Sequence, residues 1–258
     1  MRSIPSVGSG DLVVDVPMEK VAALTSAAEA GDVERVAELL AEDVPVDAQN
    51  EQHRTALNSA IFAEAVSQLA AGGHVAPPQA GSTGDQLVGD RVAVVRVLLS
   101  AGADPEQPVG EFFENYPLRF VAARGLRDMA TVLLEGGARP EGHPDWRGSP
   151  IWMAAIQGHT EIVVMLLDRG VDIDGEDPSR GSPLEAAACG GWLETVRYLL
   201  QRGARLHPEA VAMAEDRLAT ARSHPDNNYA ATPERWAEFA QVISTLKEAL
   251  AGTSGADG

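Results

Sequence analysis

The chain is short of the residue types from which most chemistry is built. It has one cysteine, Cys189, which excludes an internal disulfide and any zinc site made of cysteines. Only Lys20 and Lys247 are lysines; 20 basic residues face 38 acidic ones, for a formal net charge of −18. Such a chain repels nucleic acid, whose affinity for proteins comes largely from Lys and Arg displacing counterions. The partner expected from charge is instead a protein with a basic surface. The bias from lysine to arginine, with many alanines and valines, has the composition of a GC-rich bacterial gene. No apolar run is long enough to span a membrane, and Met1–Gly10 lacks the apolar stretch of a signal peptide. The expectation is a cytoplasmic monomer.

Catalytic motifs are scarce too. The six histidines are His53, His74, His143, His159, His207 and His224, and no two stand at the i, i+4 spacing of a helical zinc site. There is no Gly-x-Ser-x-Gly elbow. Gly8-Ser9-Gly10 has no third glycine in the place a dinucleotide fingerprint needs, and neither lysine follows a glycine as in a phosphate loop. The carboxylates are scattered rather than paired. No catalytic residue, metal or cofactor is assigned, and the chain is expected not to be an enzyme.

What is present is a period. Arg147-Gly148-Ser149-Pro150 returns 33 residues later as Arg180-Gly181-Ser182-Pro183. The same step separates Gly125, Gly158 and Gly191, the pairs Leu133-Leu134, Leu166-Leu167 and Leu199-Leu200, and Gly137, Gly170 and Gly203. Within one unit, Ser149-Pro150 starts a helix, since Ser caps free amides and Pro fits the first helical position. Ala154-Ala155 keep that inner helix slim, so a neighbour can approach. Gly158 ends it in a left-handed conformation. Thr160 and Glu161 open a second helix with an apolar stripe of Ile162, Val163, Leu166 and Leu167. Gly170 closes the second helix, and Val171-Asp172-Ile173-Asp174 leads on. One such helix pair buries too little apolar surface to stand alone, so the units must stack.

This layout resembles the ankyrin repeat. The match is best from Ser149-Pro150-Ile151-Trp152 through Gly158-His159 to Gly170-Val171-Asp172. It is nearly as good from Ser182-Pro183-Leu184 through Gly191 to Gly203-Ala204. Tyr116-Pro117-Leu118 with Gly125 and Gly137-Ala138 makes a further unit, as does Arg54-Thr55-Ala56-Leu57 with Leu98-Leu99 and Gly102-Ala103-Asp104. The first unit carries Ala27-Ala28, Gly31-Asp32-Val33 and Leu39-Leu40, with Asp43 in place of its closing glycine. The family's helix-start histidine is replaced by Asn58, Arg119, Trp152 and Glu185. The resemblance implies an all-α ankyrin solenoid of about five repeats over residues 17–207, divided at 17–53, 54–115, 116–148, 149–181 and 182–207. Residues 1–16 and 252–258 read as tails.

Two stretches break the period. Thr55 and Tyr116 are 61 residues apart, and the excess reads as an insertion near 66–90, rich in Gly and Pro, between the two helices of the second repeat. After residue 207 a helix from Pro208 to about Arg222 and another from Pro233 to about Leu250 read as a capping pair over 208–251. Trp236, Phe239, Val242, Ile243 and Leu246 give the last helix its apolar side.

The resemblance also implies where a partner sits: in the concave groove made by hairpin tips and the open side of the inner helices. The corresponding tip positions are His53, Arg54, Phe112, Phe113, Glu114, Asn115, Asp145, Trp146, Arg147, Ser179 and Arg180. The inner-helix positions are Phe62, Ala123, Arg124, Ile156, Gln157 and Cys189. Aromatics make up only 5% of the chain, yet Phe112, Phe113, Tyr116, Trp146 and Trp152 cluster around repeats three and four. Trp, Tyr and Arg anchors each contribute about 2 kcal/mol or more at interfaces. The candidate partner-binding set is therefore Phe112, Phe113, Tyr116, Trp146, Arg147, Trp152, Ile156, Gln157 and Arg180. The function expected is a protein-binding scaffold. One alternative is an immunity or inhibitor protein that neutralises a basic toxin or enzyme. Another is a small-ligand binder or enzyme with the second repeat's loop as a lid. Cys189, among Ala186, Ala187 and Ala188, and His159, at a family packing position, read as structural.

Overall fold

The structure is a computed structural model that describes residues 17–70, 90–108, 116–143, 149–175, 181–223 and 232–254. The described residues form twelve helices and no sheet. They are α1 (Met18–Ala30), α2 (Val33–Ala41), α3 (Ala56–Ala70), α4 (Arg91–Ser100), α5 (Pro117–Arg124), α6 (Arg127–Glu135), α7 (Pro150–Gln157), α8 (Thr160–Leu167), α9 (Pro183–Gly190), α10 (Leu193–Gln201), α11 (Pro208–Ser223) and α12 (Pro233–Ser254). Odd-numbered helices pack on one another in order and form the inner layer; even-numbered helices follow them as the outer layer. The fold is thus an all-α repeat solenoid.

Local chemistry sets the helix ends. In α5, α7 and α9 proline occupies the first turn, and each helix is eight residues long. The Ser149 hydroxyl accepts from the Trp152 amide, and Ser182 with Glu185 forms a reciprocal capping box. Gly125, Gly158 and Gly191 close the three helices at φ of 70°, 76° and 70°. A side chain there would strain the backbone. It would also collide with a ring from the next unit: His159 over Gly125, Trp192 over Gly158 and Phe239 over Gly191. Asp43, in place of a glycine at the end of the first repeat, does adopt a left-handed φ of 60°.

The hydrophobic seam runs the length of the stack. Ala154, Ala155, Ala187 and Ala188 are fully buried, as are Leu133, Leu166 and Leu199 from the repeating leucine pairs. Each such leucine contributes roughly 1.5–3 kcal/mol by leaving water. The opposite edge is tied by backbone amides. The Asp104 amide donates to the Asp47 carboxylate at 3.2 Å, the Arg139 amide to Glu106 at 2.9 Å, and the Arg205 amide to Asp174 at 2.7 Å. In each case the acid stands four residues beyond the residue that closes one repeat. The amide stands two beyond the glycine that closes the next.

The second repeat departs from the expected boundary. Residues 66–70 are not part of a loop. They continue α3, which runs 15 residues because Glu64 stands where the other inner helices meet their stop glycine. Ala65 in the prolonged part is buried. Residues 71–89, the rest of the expected insertion, lie outside the described residues, as do 1–16. At the far end α11 packs on α9, and α12 packs on α10 and α11. Phe239, Val242 and Leu246 are buried there, and Trp236 and Ile243 pack beside them.

Candidate functional site: the concave face

Each inner helix keeps one row of side chains off the core. Two residues before the closing position stand Glu29, Phe62, Ala123, Ile156 and Cys189, all partly or wholly exposed. Next to them stand Ala30, Ala63, Arg124 and Gln157, also not buried. The backbone of this row is held from behind. Arg91 donates to the Glu29 carbonyl at 2.7 Å, the Trp192 indole to the Ile156 carbonyl at 2.8 Å, and His159 to the Ala123 carbonyl. Arg235 does the same to the Gly190 carbonyl at 2.7 Å while stacking on Trp192. The groove's floor is therefore set by side chains that never face it.

The missing helix-start histidine is replaced piecemeal. Asn58 is buried and donates to the Pro108 carbonyl at 2.7 Å, so it ties its repeat to the next loop. Glu185 is used in the capping box, and Trp152 packs half-buried against the core. His159 is structural in position: burial holds its pKa down at about 4, against the pull of its bond to the Ala123 carbonyl, so the ring is neutral at pH 7. Its Nε2 is buried without a partner among the described residues. Burial pushes the Cys189 thiol above its ordinary value, with Asp216 adding to the rise and Arg217 opposing it, which is the reverse of nucleophile activation.

Of the candidate partner-binding residues, Trp152, Ile156 and Gln157 lie together on α7. Tyr116, just before α5, stacks on His143 with ring centres 4.3 Å apart and planes at 6°, so that ring is engaged within the chain. Phe112, Phe113, Trp146, Arg147 and Arg180 lie outside the described residues. The sequence reading missed Val66 and Leu69. Their spacing from Phe62 is helical, but placing the start of the insertion at 66 hid it. It also missed Arg91, which joins the Glu29 carbonyl and Glu64.

A cleft of about 800 Å³ opens elsewhere, between α8, α10 and α12, where Trp192, Thr195, Tyr198, Glu238 and Gln241 line it. The Thr160 and Thr195 hydroxyls bond across its floor at 2.8 Å. Among the described residues no group of three or more His, Cys, Asp or Glu is placed to hold a metal ion, and no helix is long and apolar enough to cross a membrane.

No curated protein matches the chain. A solved structure similar to it is the human ASB11 ankyrin repeat domain, with 24% identity and a TM-score of 0.58 over 88% of this chain and 82% of that one. The likeness is one of fold. The sequence model for ankyrin repeats (3 copies) matches residues 118–210, which span α5 to the start of α11. With that match, and with the stacked helix pairs that continue on its N-terminal side, residues 118–210 carry ankyrin repeats and the chain as a whole is similar in fold to the ankyrin repeat family.

Proposed function

We propose that the chain is a non-catalytic scaffold that holds another protein along its concave face, acting as a monomer in a bacterial cytoplasm. Ankyrin repeats are generally protein–protein interaction modules. The observation that carries the reading is the row of Phe62, Ala123, Ile156 and Cys189, which stays out of the core, with the Ala123 and Ile156 carbonyls held by His159 and Trp192 of the next repeat. Trp152, Ile156 and Gln157 supply the centre of that face. Phe112, Phe113, Tyr116, Trp146, Arg147 and Arg180 are the proposed contributions of the hairpin side. The test is crosslinking and affinity purification from the native cell with the wild-type chain, the Trp146→Ala/Arg147→Ala variant and Ile156→Asp. Partners captured by the wild type should be lost from both variants; an unchanged partner set rejects the groove.

The net charge of −18 favours the second reading, neutralisation of a basic toxin or enzyme. Co-expression with a toxin encoded by a neighbouring gene tests it: rescue of growth supports the reading and continued toxicity rejects it.

A further inference from the structure

The part of the concave face built by α3 and α5 differs from the rest in two ways. The first is apolar exposure. Among the described residues the exposed large apolar side chains are Phe62, Val66 and Leu69, at 41%, 46% and 58% of their surface. All three are on α3, and steps of four and three residues put them on one helical face. Single exposed apolar side chains are ordinary, whereas a contiguous stripe marks an interaction surface. The stripe exists because α3 does not stop where α5, α7 and α9 stop. Its extra turns carry Val66 and Leu69 beyond the groove row that Phe62 begins.

The second difference is charge. In a chain of net −18 the charges here are mainly arginines. Arg54 leans over the Phe62 ring at 5.4 Å and pairs with Glu29 at 3.7 Å. Arg124 lies over the Phe120 ring at 4.4 Å, and among the described residues it has no carboxylate partner. Arg119 and Arg124 are the charged residues of α5. Glu64, the charged residue of α3, is already paired with Arg91 at 3.4 Å. An arginine held flat on an aromatic ring keeps its outer N–H groups available to a carboxylate.

We infer that this patch receives a short segment of a partner protein whose apolar anchors are flanked by aspartate or glutamate. The inference rests on the groove reading above and names its occupant. The anchors cover Phe62, Val66 and Leu69, and the carboxylates meet Arg124 and its neighbours. A lysine- or arginine-rich segment is repelled from this patch, although the molecule as a whole attracts it.

The experiment is selection from a displayed library of random short peptides against the full chain, followed by fluorescence anisotropy with the synthetic consensus peptide. The expected consensus combines Leu, Ile or Phe with Asp or Glu. Leu69→Asp and Arg124→Glu each weaken binding about tenfold or more. A peptide with its acids changed to lysine regains affinity for Arg124→Glu, and salt weakens the wild-type complex. The substituted positions are at least partly exposed, and circular dichroism confirms that the variants fold. A basic consensus, no enriched consensus, or binding indifferent to these substitutions overturns the inference. So does light scattering that shows a dimer of the chain dissociated by Leu69→Asp, since the stripe would then be covered by a second copy. A partner lost with Ile156→Asp but kept with Leu69→Asp and Arg124→Glu leaves the groove reading standing and sinks this one.

Discussion

Repeats three to five and repeats one and two reach the same stacking by different local means. In the later repeats a left-handed glycine stops the inner helix, and a ring from the next unit sits on the glycine. In the second repeat the glycine is absent, so the helix runs on. In the first, Gly31 closes the helix left-handed as the later glycines do, but Arg91 rather than a ring reaches the carbonyl two residues before it, doing the work that His159 and Trp192 do later. The repeat therefore does not require one residue type at the junction. At the ends of α1, α5, α7 and α9 it uses a donor that reaches back to a carbonyl near the end of that helix.

The largest expected effect tests the glycine half of the comparison. Gly158→Val imposes a strained φ and displaces the Trp192 ring, and should cost about 3 kcal/mol or more in thermal or urea denaturation. The equivalent change at Glu64, which lies in continuous helix, should cost far less. If the two cost the same, the distinction between the halves is wrong.

The next effect depends on pH. His159 has a folded pKa of about 4 and an unfolded value near 6.5. Below pH 6.5 the unfolded chain binds more protons, so this stabilisation is present above 6.5 and is lost as the pH falls toward 4. Between pH 7.5 and 4.5 the loss from this residue is about 2 kcal/mol by linkage. His159→Gln should flatten that part of the urea-midpoint profile; an unchanged slope would show that the ring is not held neutral.

Arg91→Ala removes a hydrogen bond and an ion pair that is mostly shielded from solvent. A destabilisation of about 1–2 kcal/mol is expected, matching the loss from Trp192→Phe in the later half. The smallest effect is a gain. Asp43→Gly relieves a left-handed non-glycine residue and should raise stability by about 0.5 kcal/mol, whereas Gly170→Asp at the equivalent place should lower it.

Much of the fold was legible because its determinants are local. Ser149-Pro150, the leucine pairs and the glycines each fix a helix end or a buried stripe within a few residues, and the 33-residue step repeats them. The substitution of Asp43 for glycine was legible for the same reason. The length of α3 was not. Helix ends are read from stop signals, and glycine-rich sequence near residue 72 pulled the apparent stop toward 66, although Ala65 and the Phe62-Val66-Leu69 spacing are helical. The roles of Arg91, Trp192 and Arg235 were hidden because their acceptors lie a repeat or more away in sequence. The groove positions of Arg54 and Arg124 were legible from the repeat register, but their seats over Phe62 and Phe120 were not.

The carboxylate-to-amide bonds along the loop edge have a mechanical corollary. Asp47, Glu106 and Asp174 each fasten their own repeat to its successor. At the corresponding place between the third and fourth repeats stand Glu141 and Asp172, two like charges with no such bond between them. That junction is held instead by the Arg127–Glu161 pair and the packing of α5 on α7, so the tie moves from the loop edge to the helices.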